Sequence, residues 1–128
     1  MDMESSSCQK IPLKIRLSTM KSVIRFADER VKESLNKLKE STTEDKKLYE
    51  TINKVLDNLE EDAFAGIQIQ KRLIPEVYKT KYGVTNVWKC DLQNGWRLLY
   101  TVGKEDVIVL SIILEWMNHK DYERRFGY

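Results

Sequence analysis

The chain has 128 residues, of which 41% are hydrophobic and 33% are charged, and its net charge at pH 7 is +2. This length and balance are typical of one globular domain with a single core. No stretch reaches the length of about 18 apolar residues that a membrane span requires, and residues 1–10 lack the apolar core of a signal peptide. We therefore expect neither a membrane segment nor export.

The positive charge is concentrated in the second half of the chain. Residues 67–128 contain 10 Lys and Arg against 7 Asp and Glu, whereas residues 1–66 contain 12 against 13. An excess of this size is compatible with a polyanionic partner, but it does not by itself identify a nucleic-acid-binding protein.

The two cysteines, Cys8 and Cys90, have neither the spacing of a metal site nor that of a disulfide framework. We therefore predict a reducing, cytoplasmic setting.

The chain begins with a polar segment that has no periodicity. Its Ser-rich composition predicts a disordered tail at residues 1–10, followed by a single domain at residues 11–128. Residues 11–17 then alternate Ile or Leu with polar side chains or proline, which predicts a first, half-buried strand.

Two amphipathic helices are predicted next. Ser18 or Thr19 is a possible cap for the first, whose apolar positions recur with a 3.6-residue period from Val23 onward and which should end near Glu40. Thr42 or Thr43 begins the second, which has acidic residues in its first turn and whose apolar face continues to Leu59. The two helices should form a hairpin that packs on its own core.

Strand patterns dominate the second half of the chain. Strands are predicted at residues 66–73, 84–92, 96–102 and 107–116. The Asn94-Gly95 dipeptide predicts a hairpin turn, because both residues tolerate positive φ angles. The last strand is apolar on both faces, which indicates a central, buried position.

The resulting fold class is α+β. An N-terminal strand and the two-helix hairpin would pack on one face of a mainly antiparallel twisted sheet, in the order β-α-α-β-β-β, leaving part of the other face exposed. Residues 119–126 would add a short C-terminal helix or an extended arm.

Arg97 is the most informative single residue, because it lies among apolar residues directly after the predicted turn. A guanidinium that loses its water must pair with an acid or line a cleft that an anion can enter. Asp91 and Glu115 are the candidate acidic partners. The sequence leaves the ion-pair and anion-site interpretations equally open.

Two further groups of residues could carry chemistry. The C-terminal segment contains the only histidine, His119, together with Tyr122 and the basic residues Lys120, Arg124 and Arg125; a histidine titrates near neutrality, although a lone one is more often a cap or a surface residue. A second basic surface, interleaved with aromatic residues, comprises Lys71, Arg72, Lys79, Lys81 and Lys89. Such surfaces bind single-stranded RNA, although exposed lysines more often only increase solubility.

No other pattern points to chemistry. The sequence has no phosphate-binding glycine loop, no Cys/His metal cluster, no nucleophile elbow and no convincing carboxylate pair. We therefore expect no metal site and no cofactor.

The stretch from Trp88 to Val102, with its Gly-Trp-Arg-Leu-Leu-Tyr core, and the terminal His119-Lys-Asp-Tyr122 resemble the C-terminal half of the RelE/ParE superfamily of type II toxins. The helix hairpin and the strand order match that fold as well, so the resemblance covers about residues 11–126. The chain as a whole also looks like archaeal, RelE-like members of that superfamily.

The resemblance implies an activity and a set of site residues. RelE-like toxins cut mRNA on the ribosome without a metal, by attack of a ribose 2′-OH on the adjacent phosphate. Arg97 falls on the family's phosphate-stabilising arginine, and Lys89 falls on a lysine of the preceding strand. Tyr122 and His119 lie where the family has its terminal aromatic and, in some branches, a histidine. Glu115 remains a candidate for proton transfer.

The resemblance also implies partners and leaves an alternative. A cognate antitoxin, the ribosome and mRNA are the expected partners, and Lys71, Arg72, Lys79, Lys81, Arg124 and Arg125 are the candidate RNA contacts. However, Asp91 stands near a position where the family has a second lysine. The alternative is a non-catalytic protein of the same fold, either a ParE-like gyrase inhibitor or an inactive relic.

Overall fold

A computed structural model of the protein describes residues 19–127. In that range it contains five strands and four helices: β1 Val23–Phe26, α1 Glu29–Leu38, α2 Thr43–Glu61, β2 Ile67–Gln68, α3 Glu76–Tyr82, β3 Trp88–Asp91, β4 Arg97–Glu105, β5 Ile108–Met117 and α4 His119–Phe126. The predicted tail at residues 1–10 and the predicted strand at residues 11–17 lie outside the described residues. Among the described helices, none has both the length and the apolar character needed to cross a membrane.

The strands form one mixed, open sheet in the order β1-β5-β4-β3-β2. β1 runs parallel to β5, and every other neighbouring pair is antiparallel. The α+β class and the mainly antiparallel sheet are therefore confirmed. β5 lies between β1 and β4, which confirms the interior position predicted from its long apolar run.

The prediction that a helix begins at about residue 19 is wrong. Residues Val23–Phe26 form β1, and their backbone pairs with residues 110–113 of β5. α1 begins only at Glu29, where the Asp28 carboxylate accepts the Val31 N–H at 3.0 Å as an N-cap. The apolar positions of this short segment fit a strand and a helix equally well, and pairing with a distant strand decides between them.

The helix hairpin packs on one face of the sheet. α2 begins as predicted, with the Thr42 hydroxyl accepting the Asp45 N–H at 3.1 Å. The hairpin and the sheet bury one continuous core, whose members include Leu35, Ile52, Leu98, Tyr100 and Ile113. We call this side the hairpin face.

The second face is more covered than the sequence predicted. α3 and α4 pack there over a smaller core that includes Tyr78, Leu99, Met117 and Tyr122. Only the end of the sheet farthest from these helices leaves apolar side chains exposed, for example Val23 and Ile108. We call this side the α4 face.

The strands of the second half differ in length from the predictions: β2 and β3 are shorter, whereas β4 extends to Glu105, beyond its predicted end at residue 102. The strand predicted at residues 66–73 is reduced to β2, because the chain enters a 3₁₀ turn at Lys71–Leu73 and Pro75 then precedes α3. The turn between β3 and β4 is confirmed, with positive φ angles of 59° at Asn94 and 79° at Gly95. The segment at residues 119–126 is a helix, one of the two predicted alternatives.

β5 contains one irregularity. Leu99 of β4 pairs with Glu115, and Tyr100 pairs with Ile113, so Leu114 has no partner across this pair of strands. An extra residue of this kind is a β-bulge. It lies three residues before Met117, the partner of Arg97.

Cys90 lies fully buried on the hairpin face and is disulfide-bonded. The spacing of the two cysteines did not predict this bond. The chain has one other cysteine, Cys8, which lies outside the described residues.

Candidate functional site

The β3–β4 hairpin brings three of the charged residues together on the α4 face. Asp91 pairs with Arg97 across the two strands, and Lys89 lies two residues before Asp91 on the same face. The Oδ1 atom of Asp91 is 2.9 Å from Nε of Arg97 and 3.2 Å from Nζ of Lys89. A single carboxylate oxygen therefore lies between two cations.

Arg97 is held on several sides. Its Nη1 donates to the Gly95 carbonyl at 2.6 Å, and only 17% of its side chain is exposed. Although Nε is close to Asp91, its N–H does not point at the carboxylate, so this contact is an ion pair and not a linear hydrogen bond. Of the two acids that the sequence left open as partners, Asp91 is the one that the structure places against Arg97.

α4 contributes the aromatic side of the cluster. Tyr122 is 4% exposed, and its ring lies 5.1 Å from Cζ of Arg97 and 5.7 Å from Nζ of Lys89. Both distances are within the range of cation–π attraction. The ring of Tyr122 thus forms the surface against which the two cations pack.

His119 lies at the first position of α4, next to the same cations. Its Nδ1 is 3.5 Å from Nη2 of Arg97, and its Nε2 is 3.2 Å from the Glu123 carboxylate one helical turn later. The side chain is 56% exposed, so water and a ligand can reach the ring. A neutral ring that donates from Nε2 to Glu123 would present the lone pair of Nδ1 towards Arg97.

These residues form what we call the Arg97 cluster: Lys89, Asp91, Arg97, His119 and Tyr122. Four of its five members are predicted site residues, contributed by two strands and one helix. The arrangement provides two fixed cations and one titratable group beside them. It could bind an anion and exchange a proton with it, provided that the Asp91 carboxylate makes room.

Glu115 is a predicted site residue that the structure does not bring into the cluster. Its carboxylate is 2.6 Å from Nη1 of Arg125, and Leu99 lies between Glu115 and Lys89 in the strand register. Arg125 in turn lies over the Tyr78 ring at 5.7 Å. Glu115 therefore belongs to a second group of residues, on the other side of α4.

This second group contains a buried phenol. Burial raises the pKa of the Tyr78 hydroxyl well above its ordinary value, the nearby Glu115 carboxylate raises it further, and Arg125 lowers it. The hydroxyl makes no hydrogen bond of good geometry among the described residues, so we regard burial as the dominant cause. Tyr78 therefore stays neutral at physiological pH.

An open groove of about 560 Å³ lies beside this group, between α3 and α4. Its lining includes Pro75 and Val77 from α3 and its start, Glu115 from β5, and Arg124 and Arg125 from α4. The two arginines are paired with acids, since Nη1 of Arg124 is 3.0 Å from Asp121. The charges that line the groove largely cancel.

The remaining predicted RNA contacts lie on the surface near α3. Lys71 and Arg72 are exposed on the 3₁₀ turn, and Lys79 and Lys81 are exposed on α3. Among the described residues, no ion pair or side-chain hydrogen bond connects these four residues to the Arg97 cluster. They are available to solvent, but they do not form part of the cluster.

In the part of the chain that the structure describes, no group of three or more His, Cys, Asp or Glu residues is arranged to hold a metal ion. The side chains of the cluster offer two cations, Arg97 and Lys89, and an imidazole, His119, that can accept or donate a proton.

The sequence did not identify one member of the cluster, Asp91, or the residue that contacts His119, Glu123. The sequence predicts Asp91 only as a structural partner, although its position mirrors that of Arg97 about the Asn94 turn. The one signal for Glu123 is its position four residues after His119, because four-residue spacing places two side chains on one helix face.

Comparison with known proteins finds no family model, no curated protein and no solved structure that matches this chain. The resemblance to the RelE/ParE superfamily therefore stays a prediction from the residues that carry it.

Proposed function

We propose that this protein is a RelE/ParE-type toxin of a type II toxin–antitoxin pair and that it acts as a metal-independent endoribonuclease on ribosome-bound mRNA. The observation that carries the proposal is the 3.5 Å approach of His119 Nδ1 to Nη2 of Arg97. It combines a permanent positive charge with an imidazole that can accept or donate a proton, and phosphodiester cleavage requires both functions.

The proposed reaction begins when the ribose 2′-OH attacks the adjacent phosphorus. A base removes the proton of the 2′-OH, the bond from phosphorus to the 5′-oxygen breaks, and an acid protonates that oxygen. Arg97 and Lys89 would stabilise the charge that develops on the phosphate oxygens. His119 would exchange the proton through Nδ1 while Glu123 holds the opposite side of its ring.

Several wider features support the proposal. The α+β fold, with two helices after the first described strand and an antiparallel set of strands after them, is compatible with the resemblance. Exposed Lys71, Arg72, Lys79 and Lys81 would contact the RNA backbone, and Arg124 and Arg125 would extend this surface along α4. The proposed partners are a cognate antitoxin, the ribosome and mRNA, in the cytoplasm.

A second candidate is a non-catalytic protein of the same fold, such as a gyrase inhibitor or an inactive toxin. One specific observation favours it, namely that Asp91 contacts both Lys89 and Arg97. A carboxylate in this position reduces the positive charge that a phosphate would meet. The second candidate therefore predicts binding without cleavage.

Cleavage of ribosome-bound mRNA by the purified protein in the presence of a chelator tests the proposal directly. The wild type should cut, Arg97→Ala and His119→Ala should not, and Lys104→Ala should cut like the wild type, because Lys104 is exposed at the far end of β4. Equal cutting by all four proteins would refute the assignment of the site. Intact mRNA together with blocked DNA supercoiling would favour the gyrase inhibitor, and neither effect would favour the inactive toxin.

A further inference from the structure

Two partly buried cations share one carboxylate in the Arg97 cluster. The side chains of Lys89 and Arg97 are 21% and 17% exposed, and both are in contact with the same oxygen of Asp91. A cation that has lost most of its water is stabilised by a counter-ion of its own. Because two cations here share one carboxylate, a second negative charge close to them would be stabilised.

We propose that Asp91 is a built-in competitor for an RNA phosphodiester. Its Oδ1 occupies the position between Lys89 and Arg97 that a phosphate oxygen would take, and the carboxylate moves away when the phosphodiester binds. The inference rests on the proposed function only as far as the cluster binds an RNA phosphate; it does not require cleavage.

The surroundings of the three charges indicate which one moves. Arg97 is held by the Gly95 carbonyl at 2.6 Å, and both Arg97 and Lys89 lie against the buried ring of Tyr122. Asp91 is the most exposed of the three charged side chains, at 35%. A rotation of Asp91 towards water keeps its charge hydrated.

Arg97 and Lys89 also have hydrogen-bond donors available for the phosphate that replaces Asp91. Nε of Arg97 has no linear hydrogen bond in the present arrangement, because its N–H does not point at Asp91. One phosphate oxygen could take the place of Oδ1 and accept from Nζ of Lys89, while a second accepts from Nε of Arg97, because a phosphate offers more acceptor oxygens than a carboxylate. Exchange of one anion for the other thus leaves no cation unpaired.

The alternative is a permanent ion pair that serves stability alone. The two possibilities differ in what removal of the charge does. A competitor that is neutralised should increase the affinity for a phosphodiester, whereas loss of a purely structural ion pair should leave this affinity unchanged or reduce it by disturbing Arg97.

The first experiment compares wild type, Asp91→Asn and Asp57→Asn in binding a short 2′-O-methyl RNA, which cannot be cleaved by 2′-OH attack. Asp57 is exposed on α2, on the hairpin face, so its substitution changes the net charge equally at a distant position. We expect Asp91→Asn to bind roughly tenfold more tightly, as removal of one nearby charge implies, and Asp57→Asn to bind within about twofold of the wild type. Equal affinities of Asp91→Asn and Asp57→Asn would overturn the proposal.

The second experiment needs no variant and therefore also decides the question if Asp91→Asn does not fold. In the wild type, the carboxyl ¹³C resonance of Asp91 should shift during titration with the same RNA, together with the Nε resonance of Arg97. A shift at Arg97 with an unchanged Asp91 carboxyl would contradict displacement.

Cleavage is measured separately with unmodified RNA. Tighter binding by Asp91→Asn without cleavage by any protein would support this inference and refute the proposed nuclease. Cleavage by the wild type, with no gain in affinity for Asp91→Asn, would support the proposed nuclease and refute this inference.

Discussion

Asp91 and Arg97 face each other as the last residue pair of the β3–β4 hairpin before its turn, with Nε and Oδ1 2.9 Å apart. Residues that are directly opposite in antiparallel strands lie close enough for opposite charges to stabilise the pair. The hairpin register thus explains how an arginine among apolar residues is tolerated on a largely covered sheet face.

Replacement of Arg97 by alanine should destabilise the protein. It removes the ion pair with Asp91, the bond to the Gly95 carbonyl and the packing on Tyr122, and we expect a loss of about 2 kcal/mol. Arg97→Lys should retain part of the charge interaction and lose less. Urea unfolding measures both values, and an Arg97→Ala protein as stable as the wild type would contradict this account of the hairpin.

Replacement of His119 by alanine should separate activity from stability. The side chain is 56% exposed and its pair with Glu123 is a surface pair, so the free energy of unfolding should change by less than about 0.5 kcal/mol. If the proposed nuclease is correct, the cleavage rate should fall by about 100-fold or more, the contribution typical of a general acid or base. A His119→Ala protein that is clearly destabilised but cleaves RNA at the normal rate would show that His119 contributes to stability and not to cleavage.

Gly95→Ala should disturb the cluster through the backbone. Gly95 has a φ of +79°, and an added Cβ would lie 3.0 Å from Cβ of His119. We expect a cost of about 1–2 kcal/mol and a displaced His119 ring. Gly83→Ala is the matched control, because Gly83 has a φ of +65° with open space around the added Cβ. The difference between the two variants in stability and in His119 NMR shifts isolates the contact, and identical behaviour would argue against it.

Tyr100→Phe should be among the more damaging conservative substitutions. The fully buried hydroxyl of Tyr100 donates to the Ala63 carbonyl at 2.8 Å and accepts from the Gly66 N–H at 3.0 Å. Its removal leaves two backbone groups without these bonds, for an expected loss of about 2–3 kcal/mol. Thermal and urea unfolding of the variant measure this loss, and a change below about 0.5 kcal/mol would show that water replaces the hydroxyl.

Because of Tyr78, the stability of the protein should decrease at alkaline pH. Burial raises the pKa of this phenol in the folded state, so its stabilising contribution is complete below the ordinary tyrosine pKa of about 10 and is lost as the pH rises above it. The stability of the wild type should therefore fall more steeply above about pH 10 than that of Tyr78→Phe, by up to about 1.4 kcal/mol per pH unit. Parallel curves for the two proteins would contradict the assignment.

The fold was partly predictable because its strongest local signals agree with its long-range contacts. Thr42 and the periodic apolar residues that follow it predict α2, and Asn94-Gly95 predicts the hairpin turn. The sequence predicts a helix at β1 because the partner that makes this segment a strand lies some 87 residues later, as in the pair Val23 and Leu110. A pattern of four residues cannot distinguish these outcomes.

The site was partly predictable for a similar reason. Arg97 and Lys89 are two strand residues on one face, and the hairpin turn fixes their distance from each other. Glu115 was placed in the same site because its chemistry is suitable, but its position depends on where α4 packs. Whether a strand residue lies on one side of α4 or the other depends on how the helix packs on the sheet. The local sequence does not specify this packing.

Leu114, which has no partner in β4, determines to which face of the sheet the last residues of β5 point. In a strictly alternating strand, Glu115 and Met117 would point to the same side as Ile113, into the core beneath the helix hairpin. A register shift that removed the bulge but kept Leu114 would restore that alternation, and Met117 would no longer lie opposite Arg97. The meeting of strand and helix residues in the cluster thus depends on the bulge in β5 as much as on the identity of its side chains.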